Sequence, residues 1–161
     1  MHKHPFPPLF DAHSRILILG SFPSVKSREQ MFFYGHPQNR FWRVLASVFS
    51  CPVPVTIAEK KACILSHNLA LWDVLASCEI EGSADSTIRN ATPNDLSEIL
   101  SAAPIRQIYV NGKAAEKYFI RYTEPKIGKK AICLPSTSPA NAAFSLERLC
   151  EAWRIIRQEA K

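Results

Sequence analysis

The sequence has no long apolar run, no low-complexity tract and no internal repeat. None of its apolar runs approaches the roughly 18 residues that a membrane-spanning helix needs. The first ten residues, MHKHPFPPLF, lack the apolar core of a signal peptide. We therefore expect a soluble protein of the cytoplasm. Because no linker divides the chain, residues 1–161 are expected to fold as a single domain.

Cysteine is scattered rather than clustered. The five cysteines, an odd number, lie 12, 15, 55 and 17 residues apart, which indicates neither a disulfide framework nor a metal site. We expect free thiols and neither a metal nor a redox cofactor. His2 and His4 have no carboxylate or cysteine beside them, so we interpret them as part of a frayed terminus. The proline-rich residues that follow are expected to cover a sheet edge with Phe6, Leu9 and Phe10.

The chain is basic, with a net charge of +6 and a pI near 9.2. A small basic domain commonly binds a polyanion through phosphate contacts. An excess of positive charge also serves solubility alone. Composition by itself leaves these two interpretations equally open.

Strand and helix patterns alternate along the chain. Short apolar runs at 15–20, 69–74, 106–111 and 131–134 predict four strands. Their alternation with helices predicts an α/β protein, a three-layer α/β/α fold with a central four-stranded, mainly parallel sheet. Helices are predicted to begin at Pro37, at the capping box Thr56–Glu59, at Thr92–Pro93, at Gly112–Lys113 and after the cap Ser145. In the first of these helices, Gln38 and Asn39 fall in the first turn. The polar stretch 79–92 predicts a long loop.

Polar residues follow each predicted strand. They are Ser21 to Ser24, Asp73, Asn111 and the run from Ser136 to Asn141. Because the carboxyl ends of parallel strands meet at one edge of a sheet, where α/β proteins bind ligands, these residues are expected to lie together. A buried carboxylate without a partner is costly. Asp73 is therefore expected either to bond to the backbone or to face a cleft.

Two segments carry a family resemblance. Gly20-Ser-Phe-Pro and the run His36 to Trp42, HPQNRFW, resemble the first motif of the uracil-DNA glycosylase superfamily, and the closest pattern is that of its hypoxanthine-DNA glycosylase branch. The resemblance covers nearly the whole chain. It implies a monofunctional, monomeric enzyme of base excision repair that hydrolyses the N-glycosidic bond of deaminated bases in DNA, first of all hypoxanthine in deoxyinosine. Some relatives hold an iron–sulfur cluster, for which this chain offers no clustered thiols.

The resemblance also implies roles for particular residues. Asn39 takes the catalytic position, although a local capping bond is the alternative. The residues expected to bind the flipped nucleotide are Gly20, Ser21, Phe22, Tyr34 as the stacking aromatic, Asp73, Asn111 and Ser136. The residues expected to contact DNA are Ser24, Ser138, Pro139, Ala140 and Asn141, with Lys26, Arg28, Arg40 and Lys113 as candidate phosphate neighbours.

The chain departs from the superfamily at two positions. Efficient members have Asp or Asn two residues after the first-motif glycine, and His or Asn in the second motif. This chain has Phe22 and Ser136 there, so the usual water activator and leaving-group donor are missing. A purine leaving group needs less stabilisation from these two positions, because hypoxanthine can accept a proton at N7. The alternatives are a glycosylase for uracil or another deaminated base, an inactive DNA-binding domain, and a nucleotide-binding α/β domain that acts on small molecules.

Overall fold

The computed structural model describes all residues, 1–161. The strands are β1 (His2–Lys3), β2 (Ile16–Gly20), β3 (Leu69–Asp73), β4 (Leu75–Glu79), β5 (Arg89–Pro93), β6 (Gln107–Asn111) and β7 (Ala131–Leu134). The helices are α1 (Val25–Gln30), α2 (Phe41–Phe49), α3 (Ile57–Ser66), α4 (Ser97–Ala102), α5 (Lys113–Tyr118), α6 (Glu124–Ile127), α7 (Leu146–Trp153) and α8 (Ile155–Glu159). A 3₁₀ turn spans Asp85–Thr87, and a π-helical turn, Phe119–Thr123, joins α5 to α6.

The central sheet has four parallel strands in the order β3-β2-β6-β7. Strand β2 lies in the middle and all five of its residues are buried, as expected for a parallel strand covered on both faces. The register pairs Gly20 with Asp73 and, on the other side, Leu19 with Val110. The carboxyl ends of the strands are therefore level, and the predicted four-stranded parallel sheet is confirmed.

Helices cover both faces of this sheet. On one face, α2, α3, α7 and α8 pack side chains such as Phe41, Ile64 and Trp153 against Ile16 and Ile18 of β2. The other face is covered by α4 and α5 and by a small second sheet, which pack against alternate residues of the same strands. Alternate residues of each central strand thus pack into two separate cores. The predicted three-layer arrangement is confirmed.

The second sheet replaces much of the predicted 79–92 loop. Strands β1, β4 and β5 form an antiparallel sheet in the order β1-β4-β5. The prediction that Thr92 and Pro93 begin a helix is wrong, because both lie in β5. Helix α4 begins at Ser97, whose backbone N–H donates to the Asp95 carboxylate at 2.9 Å.

Other helix starts agree with the sequence patterns, with one exception. Thr56 and Glu59 form the predicted capping box and Ser145 caps α7. Helix α2, however, begins at Phe41 rather than Pro37, and residues 36–40 form turns. Helix α1, which follows the cap Ser24, was not predicted.

The N-terminal residues are ordered against the rest of the protein, so the prediction of a frayed terminus is wrong for His4. The backbone N–H of His4 donates to the Ala76 carbonyl, and Leu9 and Leu71 form an antiparallel bridge at the edge of the central sheet. The latter contact confirms the predicted edge cover. All five cysteines are free thiols. None of the helices has both the length and the apolar character needed to cross a membrane.

Candidate active site

A cavity of about 300 Å³ opens at the carboxyl ends of the central strands. Its volume is at the lower end of the range typical of small-ligand sites. The predicted site residues that line it are Gly20, Ser21, Phe22, Ser24, Tyr34, Asn39, Asp73, Asn111, Ser136, Ser138, Pro139 and Ala140. Asn141 and the four candidate phosphate neighbours, Lys26, Arg28, Arg40 and Lys113, do not line it. Further lining residues, such as Pro23, His36 and Thr137, come from the same loops, whereas Asp85 comes from the connection between β4 and β5. The strand ends therefore do converge on one pocket, as the sequence predicts.

The floor of the pocket is the junction of β2 and β3. Gly20 and Asp73 are paired in the register, and a Cβ atom on Gly20 would lie 2.5 Å from Asp73 Oδ1 and 3.2 Å from the Tyr34 hydroxyl. Glycine is therefore required if the carboxylate and the phenol are both to approach the end of β2. The first-motif glycine has a steric role that the sequence pattern alone does not explain.

Asp73 is a buried carboxylate with one oxygen bound and one free. Its Oδ2 is 2.7 Å from Nε2 of His4, and the two side chains are 6% and 3% exposed. Its Oδ1 accepts no hydrogen bond within the chain and lies at the pocket. Asp73 thus faces a cleft, one of the two predicted alternatives, while its partner is a side chain rather than the backbone.

Tyr34 presents a partly buried ring to the pocket. The residue has φ of 51°, in the left-handed region that side chains other than glycine rarely adopt. Its ring stacks on Phe41 with centroids 3.9 Å apart and planes 20° apart. Its hydroxyl is buried and has no hydrogen-bond partner. The Asn111 side chain lies near this hydroxyl but does not have the geometry of a hydrogen bond to it. Burial and then the Asp73 charge raise the pKa of Tyr34 far above its ordinary value, so the phenol keeps its proton.

Asn39 lies in the turn before α2 and its amide is oriented by the backbone. Oδ1 accepts a hydrogen bond from the Phe41 N–H at 2.9 Å, so the oxygen points to the helix and the NH₂ group points away from it. The NH₂ group has no partner within the chain. The capping bond and a role in the pocket, which the sequence left as alternatives, are therefore both compatible with the geometry. Asn39 can offer donors to a ligand, but its acceptor is occupied.

The loop from Ser136 to Asn141 is held by bonds from two other side chains. Asn111, at the end of β6, donates from Nδ2 to Thr137 Oγ1 and accepts at Oδ1 from the Thr137 N–H, both at 3.0 Å. The Arg40 guanidinium donates to the carbonyls of Ser138, Asn141 and Phe144. Arg40, predicted as a phosphate neighbour, therefore directs three of its N–H donors to carbonyls of the chain and orders the loop.

The predicted DNA-contacting residues lie at the rim. Pro139 and Ala140 are exposed. Asn141 is beside the pocket rather than in it, and its Nδ2 donates to the Ser136 carbonyl at 3.0 Å. Ser24 caps α1. These positions suit contact with a bound strand, and their roles in DNA binding stay predictions.

Two acidic or basic groups of the site were missed from the sequence. Asp85, on the 3₁₀ turn between β4 and β5, accepts a hydrogen bond from Ser21 Oγ at 2.7 Å. Burial of its carboxylate raises the pKa of Asp85, and the Asp73 charge raises it further, against the bond from Ser21. His4 was also missed. Neither residue carries a local signal, because the pairing of the second sheet brings Asp85 to the pocket and His4 to the Asp73 carboxylate behind it.

Known proteins have similar sequences and a similar fold. The family model of the uracil DNA glycosylase superfamily matches residues 7–157. A hypoxanthine DNA glycosylase of Methanosarcina acetivorans is 38% identical over 161 residues, 97% of this chain and 98% of its own length. A protein of the same name from Methanosarcina barkeri is 34% identical over 146 residues, 88% and 89% of the two chains.

A solved structure agrees with these relatives. The solution structure of a protein from Methanosarcina acetivorans, provisionally named a uracil DNA glycosylase, superposes with a TM-score of 0.82 at 33% identity and covers 99% of both chains. The match of the family model and the shared fold confirm the resemblance found in the two motifs. The chain belongs to the uracil DNA glycosylase superfamily, and it is a DNA glycosylase.

Proposed function

We propose that this protein removes hypoxanthine from deoxyinosine in DNA by hydrolysing the N-glycosidic bond. The observation that carries the proposal is the pairing of polar groups in the pocket. Asp73 offers a free carboxylate oxygen as an acceptor, and Asn39 offers an amide donor. Hypoxanthine presents the complementary pattern, an N1–H donor beside the acceptors O6 and N7. Adenine has an acceptor at N1, which a carboxylate would repel, so this pattern distinguishes the deaminated base from its parent.

The names of the relatives support the same substrate. Both curated relatives are named hypoxanthine DNA glycosylases. Uracil also presents an N–H beside carbonyl oxygens, and the deoxyuridine reaction is therefore the second candidate. The residues at the two family positions favour the purine, because Phe22 and Ser136 supply neither a carboxylate nor an imidazole to a pyrimidine leaving group.

The pocket requires the nucleotide to leave the helical stack. A base inside a duplex cannot reach a pocket at the strand ends, so the nucleotide is flipped and its phosphates rest against the loop from Ser136 to Asn141. The Tyr34 ring, backed by Phe41, is the stacking surface for the base. This rigid aromatic pair orients the base so that Asp73 and Asn39 can read its edge.

The reaction breaks the bond between C1′ and N9 and adds water to C1′. As the bond breaks, the sugar gains positive charge and the base gains electrons. The Asn39 amide donates a hydrogen bond to the base where this negative charge develops, and such donors in a desolvated site give large rate effects. The base departs with a proton that comes ultimately from the attacking water, and the products are free hypoxanthine and an abasic site.

The test is excision from labelled duplexes that contain one deoxyinosine, one deoxyuridine or one deoxyxanthosine, followed by alkaline cleavage of abasic sites. Each duplex is treated with wild type and with Asn39→Ala. Cleavage at deoxyinosine that is lost in the variant is the expected result. Cleavage mainly at deoxyuridine would replace the proposed substrate by uracil. Salt-sensitive binding with no cleavage of any duplex would instead make the protein a binding domain.

A further inference from the structure

The pocket carboxylate has a partner outside the pocket. His4 lines no part of the cavity, yet its ring lies directly behind Asp73. It contacts the rings of Phe6, Phe22 and Trp72 edge-on, with centroids 4.5 to 6.2 Å away. Such an apolar cage leaves the imidazole no water, so its two nitrogens depend on protein partners.

The hydrogen bonds of His4 define where its protons are. Nδ1 is 2.8 Å from the Phe6 carbonyl oxygen, which can only accept, so Nδ1 carries a hydrogen. Nε2 is 2.7 Å from Asp73 Oδ2, a distance typical of a charge-assisted bond. One further proton therefore lies between the imidazole and the carboxylate, and the pair as a unit is neutral.

The backbone on both sides of His4 holds the ring in place. Strand β1 pairs with β4, the strand that follows Asp73 after a single residue, and the His4 N–H donates to the Ala76 carbonyl. On the other side of His4, the bridge between Leu9 and Leu71 fixes the chain to β3 itself. The backbone around His4 is thus attached to β4 on one side and to β3, the strand that carries Asp73, on the other.

Stability alone is a poor reason for such a pair. Replacement of buried ion pairs by apolar residues is often neutral or stabilising, whereas a carboxylate at a pocket commonly has a functional role. With Oδ2 bound to His4, the other oxygen of Asp73 is directed past Gly20 to the pocket. The contact therefore sets which oxygen a ligand meets.

We propose that His4 is a positioning residue for base recognition, and that its bond to Asp73 Oδ2 holds Oδ1 as an oriented acceptor for the N–H of a deaminated base. The inference rests on the proposed function, since it names what orients the group that reads the substrate. Without the imidazole, Asp73 would lose its counter-charge and its fixed rotamer. The protein would then bind the base edge poorly but would still bind the DNA around it.

The experiment compares His4→Leu and His4→Gln with His2→Leu. His2 is an exposed histidine in β1, two residues before His4, so His2→Leu makes the same chemical change without touching the pocket. His4→Gln keeps a neutral donor in reach of Asp73. We expect single-turnover excision of deoxyinosine to fall about 10- to 100-fold in His4→Leu, as for a lost hydrogen bond to a charged group. His4→Gln should retain more activity than His4→Leu, and His2→Leu should match wild type.

Measurements of duplex binding distinguish a positioning role of His4 from a general structural role. A duplex with 2′-fluoroarabino-deoxyinosine resists cleavage and presents the base, whereas a duplex with a tetrahydrofuran abasic analogue has no base to read. His4→Leu should weaken binding of the first duplex about 10-fold or more and leave binding of the second unchanged. In Asp73→Asn, the added His4→Leu change should have little further effect on excision, because the two residues act as one unit.

The outcomes distinguish the inference from the proposed function. Equal loss of binding to both duplexes, or full additivity with Asp73→Asn, would overturn the role of His4. If His4→Leu does not fold, His4→Gln and Asp73→Asn provide the same comparison of the two duplexes. A wild-type protein that excises no base at all would overturn the proposed function. A wild-type protein that excises deoxyinosine, with both His4 variants equal to His2→Leu, would overturn the inference alone.

Discussion

Replacing Asn39 by aspartate separates its chemical role from its structural one. The side-chain oxygen that accepts from the Phe41 N–H at 2.9 Å is present in both residues. Asn39→Asp therefore keeps this bond and exchanges the free NH₂ group for a second oxygen. Loss of one donor directed at developing negative charge costs about 10²- to 10³-fold in rate, equivalent to about 2.7–4 kcal/mol. The added carboxylate also repels the departing base, so excision should fall by at least about 10²-fold.

The assay is single-turnover excision of deoxyinosine, with thermal unfolding measured on the same samples. Asn39→Asp should melt close to wild type because the turn is kept. Asn39→Ala loses the bond to Phe41, up to about 1 kcal/mol, and should melt about 2–4 °C lower. The aspartate variant should thus be the more stable of the two and yet inactive. If it excised deoxyinosine within about threefold of the wild-type rate, the amide donor would not act on the base.

Three further perturbations test other parts of the structure. In Gly20→Ala the new methyl group would lie 2.5 Å from Asp73, and the excision rate should fall at least about tenfold. The control is Gly35→Ala, whose methyl group would meet only the flexible end of a glutamine, so its excision rate should fall far less. Asp85→Asn should raise the melting temperature near neutral pH. The folded-state pKa of Asp85 is raised, so the stability that Asp85 contributes is present at low pH and is lost as the pH rises through that pKa. The gain in melting temperature should therefore vanish in acid. Thr56→Ala removes the capping box of α3 and should cost about 0.5–2 kcal/mol in a denaturant melt with excision unchanged; a change in excision would mean that α3 is coupled to the pocket.

The central sheet was predictable because its strands leave a strong local signal. Buried parallel strands are short continuous apolar runs, and ILILG of β2 and LALWD of β3 are of this kind. Their last residues, a glycine and an aspartate, mark the strand ends. For the same reason most pocket residues could be located before the structure was known.

The second sheet was not predictable, because its strands depend on pairing rather than pattern. Strand β5 reads RNATP, contains a proline and has no fully buried residue. It forms because β4 pairs with it, and its pairing has register irregularities at two places. The position of Asp85 follows from this sheet. Likewise the contact of His4 with Asp73 joins residues 69 positions apart, and no local pattern signals a contact of that range.

The late start of α2 has a consequence for the chemistry. Pro37 favoured a helix from residue 37, which would have placed Asn39 in its first turn. Residues 36–40 form turns instead, in which the Gln38 N–H donates to the ring of His36 and the Phe41 N–H donates to Asn39. A side chain just before a helix can bond to the first free N–H and still direct its other end outward. The turn therefore gives Asn39 a fixed orientation toward the pocket.

The two positions at which the chain departs from its superfamily show where the chemistry must come from. Phe22 is buried in one of the two cores and has no polar group. The Ser136 hydroxyl accepts from the Ser138 N–H at 3.1 Å and shapes the loop. Neither position can deprotonate water or protonate a base. Four ionisable side chains line the pocket instead. Asp73 is bound to His4, and Asp85 is bound to Ser21. The His36 ring accepts from the Gln38 N–H, and the Tyr34 phenol keeps its proton. The donors available to the leaving base are neutral. A purine, which can be protonated at N7, is therefore the leaving group that needs the least stabilisation from this pocket.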